Sequence, residues 1–146
     1  MFMDRVLVYL SLMLLLSGFA ASARQKYGEV DLSGTWKLKD FSLGVGEEKG
    51  AYRQGYSTEG FIPADVPGTV RQALLKAGEI PDPYYGYNNE KSLWVEEKEW
   101  WFFKDFTVDP DLKGRVVRLV FEGTVFQGRV WLNGQEVGEL EGMFNP

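Results

Sequence analysis

The chain of 146 residues contains no histidine and no cysteine. The first absence removes every nucleophile system that leans on an imidazole base, Ser-His-Asp and Cys-His alike. Both together remove the usual donors of a zinc site. Without cysteine there is no disulfide framework, so a fold of this size must be held by a packed core. Basic charge is also short: 16 Lys and Arg stand against 21 Asp and Glu, a formal net charge of −5 with both signs interspersed. Phosphate binding needs a basic patch, so nucleic acid is not expected as a partner. Neither G-x-x-x-x-G-K-[ST] nor G-x-G-x-x-G occurs, which leaves no nucleotide fingerprint. No cofactor and no metal is called for. The nearest calcium-like run, Asp109-Pro110-Asp111, lacks the ligand pattern that should follow it and reads as a plain turn.

Long apolar runs are scarce too. Val6 to Phe19 is apolar, follows Asp4-Arg5, and leads to the small-residue site Ala21-Ser22-Ala23. That order reads as a secretory signal peptide with cleavage after Ala23. The competing reading is an uncleaved anchor, but the run is shorter than the roughly 20 residues a spanning helix needs. The expected organisation is a signal peptide over 1–23 and a single domain over 24–146. The product is then secreted or periplasmic (lysosomal in a eukaryote), with no membrane contact after cleavage.

Aromatic residues are plentiful, at 15% with five Trp. Rings fill β cores, and they also stack on the C–H faces of sugars. Composition alone favours core filling.

Along the mature chain, Leu32 to Phe41 alternates as a strand, and Phe61 to Val66 is a short apolar strand ended by Pro67-Gly68. Leu43 to Gln54 is rich in Gly and Glu and reads as a loop. Thr69 to Ala77 predicts a helix: Thr69 can cap it, Val70, Ala73, Leu74 and Ala77 share a face, and Gly78 follows. Trp100 to Val108, Arg115 to Glu122 and Val125 to Leu132 read as strands. Asn133-Gly134 is a strong hairpin signal, with Gln135 to Gly138 pairing back. Short strands, Gly/Pro turns and one short helix predict an all-β fold, a β-sandwich or jelly roll.

Two polar groups stand out. Glu96, Glu97 and Glu99 lie close together, but glycoside hydrolysis by retention needs two carboxyl groups about 5–5.5 Å apart on elements flanking the bond. A cluster on one stretch reads instead as a solvated sheet edge. Asn88 and Asn89 sit in the aromatic loop Ile80 to Asn89, with Tyr84, Tyr85 and Tyr87. An Asn amide offers donor and acceptor to sugar hydroxyls, and it also makes turns. The residues alone favour the turn.

Several motifs in order carry a resemblance. They are Leu32-Ser33-Gly34-Thr35-Trp36, Val66-Pro67-Gly68-Thr69-Val70 with Ala73-Leu74-Leu75, and Ile80 to Asn88. Trp94 with Trp100, Phe121-Glu122-Gly123, and Val130-Trp131-Leu132-Asn133-Gly134 complete the series. Together they resemble the N-terminal jelly-roll (galactose-binding-like) domain of glycoside hydrolase family 2, in its β-mannosidase branch. Three positions depart from the pattern: Arg71 and Leu140 stand where the family often has histidine, and Asn89 where an acidic residue usually follows the loop asparagine.

The resemblance implies a jelly roll that packs on a TIM barrel carrying the catalytic glutamates, expected beyond Pro146. The stop after Met143-Phe144-Asn145-Pro146 then implies an N-terminal fragment with an incomplete sandwich and no catalytic residue of its own. By position, Asn88 would bind a sugar hydroxyl, with Tyr87 and Trp94 as further substrate-binding residues. The expected function is the substrate-binding part of a secreted, retaining β-mannosidase-like glycosidase acting on terminal β-mannosides, inactive when alone. The alternatives are a free-standing carbohydrate-binding module, or another family 2 activity: β-galactosidase, β-glucuronidase or exo-glucosaminidase.

Overall fold

Alternation along Gly34–Ser42 makes the first strand, β1. Side chains on a strand point to opposite faces in turn, so Trp36 and Leu38 face one way and Lys37, Lys39 and Phe41 the other. The computed structural model describes residues 29–112, 114, 116–124 and 127–142. The expected signal peptide, residues 1–23, lies outside them.

β1 pairs antiparallel with β2 (Ile62–Val66) on one side and with β3 (Lys98–Phe103) on the other. The registers set Leu38 opposite both Ile62 and Phe102, and Asp40 opposite Trp100. One face of this three-stranded sheet is covered by the helix α2, Val70–Ala77; a shorter helix, α1, precedes it at Val45–Glu48. Leu38, Ala64 and Ala73 form one buried cluster, and Leu74, Ile80 and Val95 form a second, with Ile62, Val70 and Trp100 packed against both. Burying a side chain such as Leu38 or Leu74 contributes about 1.5–3 kcal/mol.

The start of α2 is fixed by a reciprocal cap. Thr69 Oγ1 accepts from the Gln72 amide at 3.2 Å, while the Thr69 amide donates to Gln72 Oε1 at 2.9 Å. This satisfies two of the N–H groups that a helix start leaves unpaired. Gly78, at φ 76°, ends the helix in the left-handed conformation that favours glycine.

The second sheet is the hairpin of β4 (Gln127–Leu132) and β5 (Gln135–Glu141). Its turn places Asn133 at φ 52° and Gly134 at φ 84°, the pair of positive φ values a type I′ turn requires. A register shift between Val130 and Trp131 turns the strand locally. Trp131 meets the face of the first sheet that α2 does not cover, stacking on Trp101 at 4.9 Å between ring centroids and on Tyr52 at 6.3 Å. The molecule is therefore mostly antiparallel β, as expected.

Several boundaries differ from the expectation. β3 ends at Phe103, and residues 104–109 carry no ladder. The strand expected over Arg115 to Glu122 is not formed in its described part. Residues 116–121 have no ladder partner among the described residues, and Val116 and Val117 stand exposed. A strand exists only through its neighbour's hydrogen bonds, whatever its β-propensity. Helical content exceeds the single helix expected: α1 lies inside the predicted loop, and 3-10 turns occupy Glu90–Glu97 and Pro110–Leu112. In the Asp109 run, the Asp111 amide donates to Asp109 Oδ1 at 2.9 Å, the geometry of an Asx turn.

Candidate functional site

The segment from Ile80 to Glu97 starts in the core and then leaves it. Ile80 and Val95 are buried at its two ends. Between them the chain folds in successive tight turns, with amide-to-carbonyl bonds from Tyr85 to Asp82 (3.2 Å), Asn88 to Tyr85 (3.2 Å) and Glu90 to Tyr87 (3.1 Å). The prolines at 81 and 83 lack N–H groups and restrict the backbone, which suits such a compact bulge.

Asn88 closes the bulge. Its Nδ2 donates to the Asp82 carbonyl at 3.0 Å, and its Oδ1 accepts from Lys91 Nζ at 3.1 Å. The turn-making role is thus realised. A carboxamide has two N–H donors and two acceptor lone pairs, so one of each remains for a ligand. Asn89 acts through its backbone: its carbonyl accepts from the Ser92 amide at 3.1 Å and from Ser92 Oγ at 3.0 Å.

Around this clip the loop presents bare rings. Tyr84, Tyr85 and Tyr87 are 96%, 78% and 81% exposed, and Leu93 beside them is exposed as well. Trp94 is placed differently. It is half-buried against the second core cluster and tilts on Trp100 at 5.9 Å and 44°. With Asp40, Glu79 and Trp100 it also borders a small cleft of about 100 Å³. Among the described residues no hydrogen bond or ring contact joins Asn88, Tyr87 and Trp94 directly; they share one segment rather than one pocket.

Two residues singled out by their departure from a family pattern have clear places. Arg71, on α2, forms an ion pair with Glu96 at 2.9 Å and reaches the Ser92 carbonyl at 3.4 Å. It ties the helix to the end of the aromatic segment. Leu140 lies opposite Gly128 in the hairpin.

Glu99 corrects the reading of the glutamate cluster as a solvated edge. Its Oε2 accepts from the Gly44 amide at 2.9 Å, and its Oε1 from the Gly46 amide at 2.7 Å and from Trp101 Nε1 at 3.0 Å. Partial burial raises the Glu99 carboxyl. The Gly44, Gly46 and Trp101 donors, with the charge of Arg129, outweigh that and hold it below the ordinary carboxylate value. Gly46 has no room for a side chain, because a Cβ there would enter the Trp101 indole. The sequence hides this acceptor site because two of its three donors, Gly44 and Gly46, stand more than fifty residues away in the chain. Glu96 and Glu97, by contrast, are exposed.

Residues 36–146 match the family described as glycosyl hydrolase 2 galactose-binding domain-like. A beta-mannosidase of Bos taurus is 33% identical over 136 residues, which is 92% of this chain and 14% of that protein. A mannosylglycoprotein endo-beta-mannosidase of Lilium longiflorum is 39% identical over 89 residues, 58% of this chain and 9% of that protein. An exo-beta-D-glucosaminidase of Streptomyces avermitilis is 36% identical over 84 residues, 57% of this chain and 9% of that protein. The chain thus spans about a seventh of the length of the Bos taurus relative. No solved structure matches it.

Proposed function

The chain belongs to the glycosyl hydrolase 2 galactose-binding domain-like family, and from that premise we propose that it serves as the sugar-positioning domain of a β-mannosidase-like glycosidase. The whole enzyme hydrolyses terminal β-linked mannose with retention, through a glycosyl-enzyme intermediate on a carboxylate. The acid/base and nucleophile glutamates belong to a TIM barrel on which this domain packs. The domain contributes the aromatic segment: Asn88 offers its spare donor and acceptor to a sugar hydroxyl, Tyr87 offers a ring, and Trp94 supports the segment from the core side. We assign residues 1–23 to a cleaved signal peptide and the product to a secreted, periplasmic or lysosomal compartment.

One observation carries the choice of sugar. Relatives matched over 92% or more of the chain are beta-mannosidases, and the segment that would meet the sugar holds three largely exposed tyrosines around a clipped asparagine. Bare rings of this kind suit the C–H face of a pyranose. The exo-glucosaminidase relative keeps a second substrate in view, since it matches over 57% of the chain.

The test is direct. The purified 146-residue chain is expected to show no hydrolysis of an aryl β-mannoside, because the catalytic glutamates are assigned to the barrel and not to this domain. Turnover of that substrate by the chain alone sinks the assignment.

A further inference from the structure

Lys91 stands in the first 3-10 turn of Glu90–Glu97, three residues after Asn88. Its amide donates to the Asn88 carbonyl at 3.1 Å. Side chains three apart eclipse one another in such a turn, and here Lys91 Nζ meets Asn88 Oδ1 at 3.1 Å. The backbone under the pair is anchored to the core. Ser92, next in sequence, is buried; its amide and its hydroxyl both donate to the Asn89 carbonyl. The Ser92 carbonyl in turn accepts from Arg71 of α2 at 3.4 Å.

An ammonium only donates, and a peptide carbonyl only accepts. Between them the Asn88 carboxamide has one orientation, with Nδ2 toward the Asp82 carbonyl and Oδ1 toward Lys91. Turned over, it would set its N–H groups against the ammonium and its oxygen against the carbonyl, and both bonds would be lost. The Asp82 side of the clip is itself fixed. The Asp82 carbonyl also accepts from the Tyr85 amide at 3.2 Å, and Asp82 Oδ1 accepts from the Tyr84 amide at 2.9 Å. Lys91 is exposed, so replacing it has little effect on stability.

We infer that Lys91 is a positioning residue for sugar binding: its ammonium sets which way the Asn88 carboxamide faces, and so presents the remaining Nδ2 hydrogen to a hydroxyl oxygen of a pyranose. A bond that polarises Oδ1 also strengthens the N–H groups on the other end of the amide, so Asn88 meets the sugar chiefly as a donor. This role rests on the reading of Asn88 as a sugar-binding residue.

The experiment follows the Asn88 Nδ2 signals and methyl β-D-mannoside binding by NMR in the isotope-labelled chain. The variants are Asn88→Ala, Lys91→Met, Lys91→Arg and Lys91→Glu, each checked for folding by near-UV circular dichroism. Without sugar, the Asn88 Nδ2 order parameter is expected to fall by about a third in Lys91→Met and to hold in Lys91→Arg. Mannoside binding is expected to weaken about threefold in Lys91→Met, the loss of one modest hydrogen bond, and to be kept in Lys91→Arg. Lys91→Glu, which only accepts, turns the carboxamide over and weakens binding further than Lys91→Met does. An unchanged order parameter in Lys91→Met overturns the inference, as does a Lys91→Arg variant as weak as Lys91→Met. So does full binding by Lys91→Met while Asn88→Ala binds weakly. If Asn88→Ala binds as well as the unchanged chain, or the unchanged chain does not bind, the sugar reading of Asn88 fails and the role of Lys91 with it.

Discussion

The indole of Trp131, on β4, lies on the indole of Trp101, on β3, with centroids 4.9 Å apart and planes at 20°. This stack brings the hairpin onto the three-stranded sheet. Arg129 reinforces it by resting over Trp131 at 5.0 Å and pairing with Glu47 of α1. Trp131→Ala removes the stack and the Tyr52 contact together. Both rings are half-buried, so the expected loss is about 2 kcal/mol, below the range for a fully buried aromatic. Urea unfolding followed by circular dichroism checks it; an unchanged midpoint contradicts the role given to Trp131.

Glu99 is expected to make stability sensitive to acid. Its folded-state carboxyl is held below the ordinary value of 4.5. A carboxylate lowered in the folded state stabilises fully above its unfolded value, and that contribution is lost as pH falls through the lower folded value. Asp65, lowered by the hydrogen bond and charge of Lys76, acts in the same direction below 3.8. Glu99→Gln keeps one acceptor oxygen but sets an amide donor against a backbone N–H. Stability at pH 7 is expected to fall by about 1–2 kcal/mol, and the difference between pH 7 and pH 4 to shrink. Urea midpoints at the two pH values read this; a difference as large as in the unchanged protein counts against it.

Thr69→Ala breaks the reciprocal cap with Gln72. The expected cost is about 1 kcal/mol, visible as a lowered urea midpoint with an unchanged slope. Thr69→Ser keeps the hydroxyl and is expected to restore most of it. A serine variant as weak as the alanine variant means that the methyl group, and not the cap, matters.

Tyr84 and Tyr87 are so exposed that Tyr84→Ala and Tyr87→Ala are each expected to change stability by less than about 0.5 kcal/mol. Trp94→Ala, by contrast, opens the second core cluster and is expected to cost about 2–3 kcal/mol. Thermal unfolding of the three variants separates a ring displayed for a ligand from a ring spent on packing. A large loss on Tyr87→Ala contradicts its assignment as a binding residue.

Local chemistry predicts some elements well. The α2 helix follows from Thr69, the shared face of Val70, Ala73 and Leu74, and Gly78; the hairpin follows from Asn133-Gly134. Each signal sits within a few residues of its effect. The missed features depend on distant partners. Helix α1 lies in a Gly- and Glu-rich run that has little helical character of its own, and it is anchored by Glu99, more than fifty residues away. The turns of Glu90–Glu97 place Leu93, Trp94 and Val95 side by side, which matches neither helical nor strand periodicity. The valines at 116, 117 and 120 carry strand propensity but no hydrogen-bonded neighbour among the described residues. At the site, the sequence shows which residues share the aromatic loop. It does not show that Asn88 is already engaged with Asp82 and Lys91, because that clip exists only once the turns form.

The role proposed for this domain is to help hold the sugar. The most direct measurement is kcat/KM for an aryl β-mannoside in the proposed full-length glycosidase, with Asn88→Ala compared against the unchanged protein. One hydrogen bond to an uncharged ligand is worth roughly 0.5–1.5 kcal/mol, so kcat/KM is predicted to fall about threefold to tenfold while circular dichroism stays the same. An unchanged kcat/KM in the folded variant contradicts the claim and leaves Asn88 as a loop clip alone.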